Sequence, residues 1–166
     1  MYVKNRMTKQ PVCIDVNSKI SQVVDIMNEK NLHRIPVVSG KKLVGLVTES
    51  MISKNGASKA TSLSIYELNY LLSKTSVDAI MIRDVITVHE DRFLEDAALL
   101  MYKHDIGCLP VVNDENDVVG ILTSNDVMSA FLDILGYRES GSRVCVEVKD
   151  ELGTIGALSE IFVRNN

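Results

Sequence analysis

Laid against itself, the chain matches at a nearly fixed offset, and no other feature constrains its fold as much. At an offset of 74 residues Val3 meets Val77, Met7 meets Met81, Met27 meets Met101, and Pro36-Val37-Val38 meets Pro110-Val111-Val112. A one-residue insertion then moves the offset to 75, pairing Val44 with Val119, Gly45 with Gly120 and Thr48 with Thr123. The matches keep their order over two stretches of about fifty residues each, which chance explains poorly. With 166 residues, the chain has room for two copies of one small unit sharing a core.

Each copy reads β-α-β-β-α. In the first, Val12 to Val16 alternates as a short strand, and Ile20, Val23, Val24 and Met27 recur at helical spacing as a core stripe. Ile35-Pro36-Val37-Val38 and Leu43-Val44-Gly45-Leu46-Val47 read as strands joined by a turn at Ser39-Gly40-Lys41. Proline cannot donate to a ladder, so Pro36 is expected at a strand start or an edge. The second copy repeats the series with Ile86 to Val88, then Leu94, Ala97, Ala98 and Met101, then Leu109 to Val112 and Val118 to Leu122. Its last helix should run from about Ser124 and stop at Gly136. Between the copies a polar stretch, Asn55 to Ser62, precedes Ser64-Ile65-Tyr66-Glu67. That reads as a capping box opening a helix with Ile65, Leu68 and Leu72 on one face.

The chemistry concentrates at one corner, Gly120-Ile121-Leu122-Thr123-Ser124-Asn125-Asp126. Its first residues end a buried strand, Thr123 and Ser124 can cap a helix, and Asp126 falls in the first turn. A helix start attracts anions because its first N–H groups lack partners and the macrodipole is positive there. A carboxylate beside it can accept two hydrogen bonds from a sugar diol. Phosphate plus ribose would suit this corner. The same pattern also serves as a capping box, which needs no ligand.

Other classes of function find little support. Lys plus Arg number 18 against 22 Asp plus Glu, a net charge of −4, with no basic run and only 5% aromatic residues, so nucleic acid is not an expected partner. Cys13, Cys108 and Cys145 are too scattered for a zinc site and odd in number for disulfides, and their apolar neighbours fit buried free thiols in a reducing cytoplasm. The N-terminus lacks an apolar signal core, and no run reaches membrane-spanning length. His33, His89 and His104 show no metal-ligand spacing, and no nucleophile sits beside a base, so enzymatic activity is not expected.

The doubled "IPVV…GLVT" and "LPVV…GILTSND" over about residues 3 to 135 resemble a CBS-domain pair, the Bateman module. The intervening "SLSIYELNYLLSKTSVDAIM" further resembles AcuB-type (acetoin-utilisation) proteins, which pair CBS repeats with a C-terminal ACT domain. The tail is similar to the opening βα unit of an ACT domain. Arg143 to Val148 alternates like a strand, Asp150-Glu151-Leu152-Gly153 reads as a turn, and Ile155, Leu158, Ile161 and Phe162 form a helical stripe. A lone strand and helix cannot bury an independent core, so this reads as a truncated domain without a working amino-acid site. The expected organisation is an α/β (α+β) fold of tandem CBS repeats with pseudo-twofold symmetry plus an incomplete ACT-like unit. Residues 1–54 form repeat 1, 55–76 a helical linker, 77–136 repeat 2, and 142–166 the partial ACT-like segment.

The resemblance implies two clefts between the repeats. In one, Thr123 and Asp126 face Thr8, Cys13, Leu32, His33 and Arg34. Backbone near Cys13 and His33 would read an adenine edge, Leu32 would cover its face, Asp126 would hold the ribose hydroxyls, and Arg34 would meet phosphate. The other cleft departs from the pattern. Met51 stands where Asp126 would, Glu49 adds negative charge, and its far wall of Thr87, Gly107 and Cys108 lacks the His-Arg pair. The expected function is regulatory: a cytoplasmic module that senses an adenosine nucleotide of the AMP/ADP/ATP class and has no catalytic cofactor. A homodimer is expected through the helices bearing Met51, Ile52, Val127, Met128 and Phe131. The competing reading is a structural dimerisation module that binds no physiological nucleotide.

Overall fold

Two β-α-β-β-α copies form, as the repeat requires, but each completes its core with a segment from the other. The computed structural model describes residues 1–60, 65–138, 140–141 and 145–164. The first copy comprises β2 (Ile14–Asp15), α1 (Ile20–Lys30), β3 (Arg34–Ser39), β4 (Lys42–Thr48) and α2 (Glu49–Ala60). The second comprises β5 (Val88–His89), α4 (Leu94–His104), β6 (Cys108–Val112), β7 (Val118–Thr123) and α5 (Ser124–Ile134). A leading strand β1 (Thr8–Lys9), a connecting helix α3 (Ile65–Lys74) and a final helix α6 (Thr154–Arg164) complete the described elements. One sheet runs β2-β3-β4 and the other β1-β7-β6-β5.

The core stripes behave as their spacing dictates. Ile20, Val23 and Met27 from α1 lie on Ile35, Val37 and Val47 from the sheet, and Leu94, Ala97 and Met101 repeat this on Leu109, Val111 and Leu122. Val77, however, belongs to the first core, and Val3 belongs to the second. Each sits in a short 3-10 turn, Val77–Ala79 or Val3–Asn5. The exchange is tied by equivalent bonds. Val3 N–H donates to Arg92 O at 2.9 Å, and Val77 N–H donates to Ser18 O at 2.9 Å.

The repeated Met and Gly residues explain each other across this exchange. A Cβ at Gly120 would collide with the Met7 sulfur and lie 2.9 Å from its Cγ. One at Gly45 would collide with the Met81 sulfur and lie 3.0 Å from Ile82 O. Each methionine thus crosses into the other copy's sheet through a gap that only glycine leaves. Beyond Met7, β1 pairs with β7, placing Thr8 opposite Ile121. In the equivalent place Ile82 bridges Leu46. At the pseudo-twofold axis the hairpins meet: Lys42 pairs with Asp117 at 2.7 Å, and Val118 N–H donates to Lys41 O at 3.1 Å.

Several expectations need correction. Pro36 and Pro110 lie within the central strands β3 and β6, buried, rather than at a strand start. Their neighbours β2 and β5 begin pairing only at Val37 and Val111, so each proline is locally at an open edge where a missing N–H leaves no orphan. The strand expected over Val12 to Val16 shrinks to Ile14–Asp15. Helix α2 continues through the polar stretch from Asn55 as far as Ala60. The Ser64 cap lies outside the described residues, while Leu72 of α3 does pack on the first core. Helix α5 ends at Ile134, and Gly136 at φ +63° marks its stop.

The tail departs most. No strand forms over Cys145 to Val148, and residues 142–144 lie outside the described residues. A strand needs a partner to satisfy its ladder, and alternation alone does not supply one. Gly153 turns the chain at φ +93° into α6, which buries none of its residues. No helix among the described residues is long and apolar enough to cross a membrane.

Candidate ligand-binding clefts

Thr123 ends β7 in extended conformation and caps α5, so strand and helix meet at one hydroxyl. Its Oγ1 accepts from Asp126 N–H at 3.3 Å. Asp126 Oδ2 in turn accepts from both the N–H and the hydroxyl of Thr123, each at 2.7 Å. This reciprocal box satisfies two donors at the helix start. Ser124 N–H donates to Gly107 O at 3.1 Å, fixing the corner to the start of β6. Asn125 is second in the helix, and its N–H has no intrahelical acceptor.

A cavity of about 550 Å³ opens against this corner. Its far wall comes from the exchanged N-terminal segment, Thr8 and Gln10 to Val12, and from the α1–β3 junction, Asn31 to Arg34. Gln10 holds φ +49° with its N–H on Val119 O, and Asn31 ends α1 in the left-handed region. Both packing units therefore contribute walls. Of the expected site residues, Thr8, Leu32, His33, Arg34 and Thr123 line the cavity together. Cys13 and Asp126 are not among its lining residues. The Cys13 thiol turns to Pro11 O at 3.5 Å, and burial pushes its pKa up. Asp126 is half-buried behind Thr123, with Oδ2 committed to the cap.

Charge is placed unevenly around this space. His33 Nδ1 lies 2.6 Å from Glu49 Oε2, so the imidazole already has a carboxylate partner. Glu49 lies at this exposed pair and does not line the second cavity, contrary to expectation. A Cβ added at Gly107 would sit 3.3 Å from Arg34 Nη2 and 3.6 Å from Ser124 Oγ. The guanidinium thus lies over Gly107, beside the start of α5. A cation next to a helix N-terminus favours an anion there. Cys108 beneath it is buried; burial raises its thiol pKa and Arg34 opposes that rise.

The second cavity is the first one's pseudo-twofold relative. It measures about 240 Å³, and its walls include Leu46, Thr48, Ile82, Asp84, Ile86 and Asp105 together with Arg34, Gly107 and Cys108. Thr48 Oγ1 accepts from Met51 N–H at 3.3 Å, so the cap hydroxyl survives while Met51 brings no carboxylate. Thr87, expected on this wall, instead borders a separate hollow beside β5 and α4 with Arg92 and Lys103. Thr87 is the repeat mate of Cys13, and neither lines its cleft.

Sequence reasoning missed Gln10, Pro11, Asn31, Ser124 and Asn125 as lining residues, and assigned Gly107 and Cys108 to the smaller cleft when they border both. Ser124 and Asn125 sit inside the corner motif and were available to it. Nothing in the sequence marks Gln10 as a left-handed residue.

The CBS domain family model matches residues 3–57 and 77–133. Over 130 residues the chain is 34% identical to an L-aspartate semialdehyde sulfurtransferase from Methanocaldococcus jannaschii, covering 78% of this chain. It spans only 23% of that relative's length, and likewise 23% of a homoserine O-acetyltransferase from Methanocorpusculum labreanum that is 38% identical over 125 residues, 75% of this chain. Among solved structures it is similar to the CBS domain pair of protein MJ0100 in complex with 5′-methylthioadenosine and S-adenosyl-L-methionine. That match has a TM-score of 0.66 at 33% identity over 79% of this chain and 99% of the other. It is also similar to CBSX2 of Arabidopsis thaliana in complex with AMP, at TM-score 0.67 and 27% identity over 81% and 98% of the two chains. A Vibrio cholerae protein assigned to acetoin utilization (AcuB) matches at TM-score 0.69 and 26% identity over 86% and 98%.

Proposed function

Because this chain belongs to the CBS domain family, we propose that it is a regulatory module that binds one adenosine-type nucleotide in its larger cleft. The observation that carries this reading is the meeting of the Arg34 guanidinium and the α5 N-terminus over Gly107, at one end of a cavity walled by both packing units. Phosphate is directed to Arg34 and the free Asn125 N–H, and Leu32 and Pro36 offer apolar surface to a base. The second carboxylate oxygen of Asp126 is left for ribose hydroxyls if the ligand reaches behind Thr123. Similar CBS pairs bound to AMP, 5′-methylthioadenosine or S-adenosyl-L-methionine support the ligand class. A ligand touching both units shifts their arrangement only by its difference in affinity for the two states.

The reading extends to an AcuB-type module with residues 142–166 as an ACT-like segment, repeat boundaries of 1–54 and 77–136, a cytoplasmic homodimer and no enzymatic activity. The likeness to the Vibrio cholerae protein supports a link to acetoin utilisation. One observation favours the competing reading of a purely structural module: Asp126 and His33 are already engaged, by Thr123 and Glu49 respectively. Thermal-shift and calorimetric titration with AMP, ADP, ATP, S-adenosylmethionine and cyclic dinucleotides separates the two. Binding of one adenosine-containing ligand per chain is expected. A flat response to all of them would reject the sensor reading.

A further inference from the structure

This inference rests on the nucleotide reading of the larger cleft and concerns the smaller one. The clefts adjoin at the pseudo-twofold axis, where Arg34, Gly107 and Cys108 line both. Arg34 is the one Lys or Arg lining either cavity among the described residues. A symmetric pair would carry a second cation at its repeat mate, which is Cys108. Two other pairs of mates differ in charge, and one of them, Asn31 and Asp105, is left-handed in both copies. Gln10 and Asn31 of the larger cleft correspond to Asp84 and Asp105 of the smaller. Amides therefore face one ligand and carboxylates the other, and neither Asp84 nor Asp105 forms an ion pair among the described residues.

We propose that the smaller cleft takes a nucleoside-sized ligand bearing positive charge, and that Arg34 couples it to the larger cleft. An anion held at the start of α5 draws on the shared guanidinium. Asp84 and Asp105 then face the smaller cleft with the one cation on its wall engaged elsewhere, so that cleft rejects phosphate and favours a cation. Coupling of this kind is reciprocal: the cationic ligand tightens the anion by the same factor. The apolar walls, Leu46, Ile82, Val85, Ile86 and Ile106, suit a ligand body that carries no further charge.

Calorimetry on the full chain with AMP and the near-isosteric pair adenosine and 5′-amino-5′-deoxyadenosine tests this. AMP should bind once per chain. AMP-saturated protein should then take the amine tighter than adenosine, and AMP should tighten the amine by about 5- to 150-fold, the usual range of coupling between sites. The double variant Asp84→Asn/Asp105→Asn should bind amine and adenosine equally. Arg34→Gln, at AMP concentrations shown by calorimetry to saturate the variant, should make the amine's affinity the same with and without AMP. AMP filling both clefts, equal binding of amine and adenosine by the wild type, or a preference that survives in the double variant would each overturn the inference. Should AMP not bind at all, the nucleotide reading fails and the coupling falls with it. AMP binding once without any preference for the amine would overturn this inference alone.

Discussion

Replacing Gly120 by alanine should unseat the segment that walls the larger cleft. The new Cβ would lie 2.9 Å from Met7 Cγ and 3.2 Å from Met7 Cβ, besides colliding with the sulfur. The sulfur could swing aside, but the Cβ is fixed to the backbone, so residues 7 and 8 must move. Overpacking of this kind costs about 1–3 kcal/mol. Against it, alanine within a strand gains roughly 0.5–1 kcal/mol over glycine by restricting the unfolded chain. The clash wins, with a net loss of about 1–2 kcal/mol, or roughly 2–8 °C in Tm for a chain of this size.

Chemical denaturation of Gly120→Ala, Met7→Ala and the double variant isolates the mechanism. Removing the thioether removes the contacts with the sulfur and Cγ and leaves only the 3.2 Å approach to the Cβ of residue 7, so adding Gly120→Ala should cost much less in Met7→Ala than in the wild type, a coupling of about 1 kcal/mol. Nucleotide affinity should fall in Gly120→Ala, because Thr8 and Gln10 to Val12 hang from this anchor. Gly45→Ala acts on Met81 and Ile82 and should disturb the smaller cleft's wall instead. Strictly additive stabilities in the double variant would refute the account, since the glycine would then matter for reasons unrelated to Met7.

Asp126→Ala should lower nucleotide affinity by about 10- to 100-fold and stability by about 1–2 kcal/mol; affinity unchanged in calorimetry would leave Asp126 as a cap only. A thiol reagent should modify exposed Cys145 first and buried Cys108 last. Burial raises the folded pKa of Cys13 and Cys108 above the ordinary 9.0, so their contribution is complete below that value and lost as pH rises through the raised pKa. Denaturation midpoints of wild type and Cys13→Ala/Cys108→Ala should therefore converge on the alkaline side. Met128 and Phe131 are 58% and 54% exposed on α5, which fits a covered homodimer face; light scattering at about 18 kDa in micromolar solution would contradict it. Hydrogen exchange should find residues 145–148 unprotected, and strong protection in a verified monomer would show a strand partner in solution.

What the sequence disclosed depended on whether the responsible interaction was periodic or local. The repeat, the helical stripes and the strand pairs were legible because apolar spacing directly reflects which face is buried. The Thr123–Asp126 box was legible because capping acts over three residues. The exchange of Val3 and Val77 was not, since two copies of one sequence offer two equivalent cores and the pattern cannot say which core each segment enters. Within the site, residues on regular elements, such as Thr123, Arg34 and Thr8, were found. Gln10 was missed because its residue type does not mark the left-handed backbone it adopts. The strand expected in the tail failed for a related reason: alternation prepares a strand, but only a partner makes one.

Framework and wall charge are set by different residues in the two clefts. The shared framework is the Met–Gly crossings, the paired prolines and the helix ends at Asn31 and Asp105, which are left-handed in both copies. These positions answer to packing and backbone, so the two copies agree there. Several residues that line the clefts carry little of the core: Arg34, His33 and Asp84 are exposed. They are free to differ without disturbing the fold, and they do, as Arg34 against Cys108, His33 against Gly107 and Gln10 against Asp84. Arg34 is the point where this freedom becomes a constraint. One guanidinium at the axis cannot neutralise anions on both sides at once, so the charge of whatever occupies one cleft must alter the electrostatics of the other.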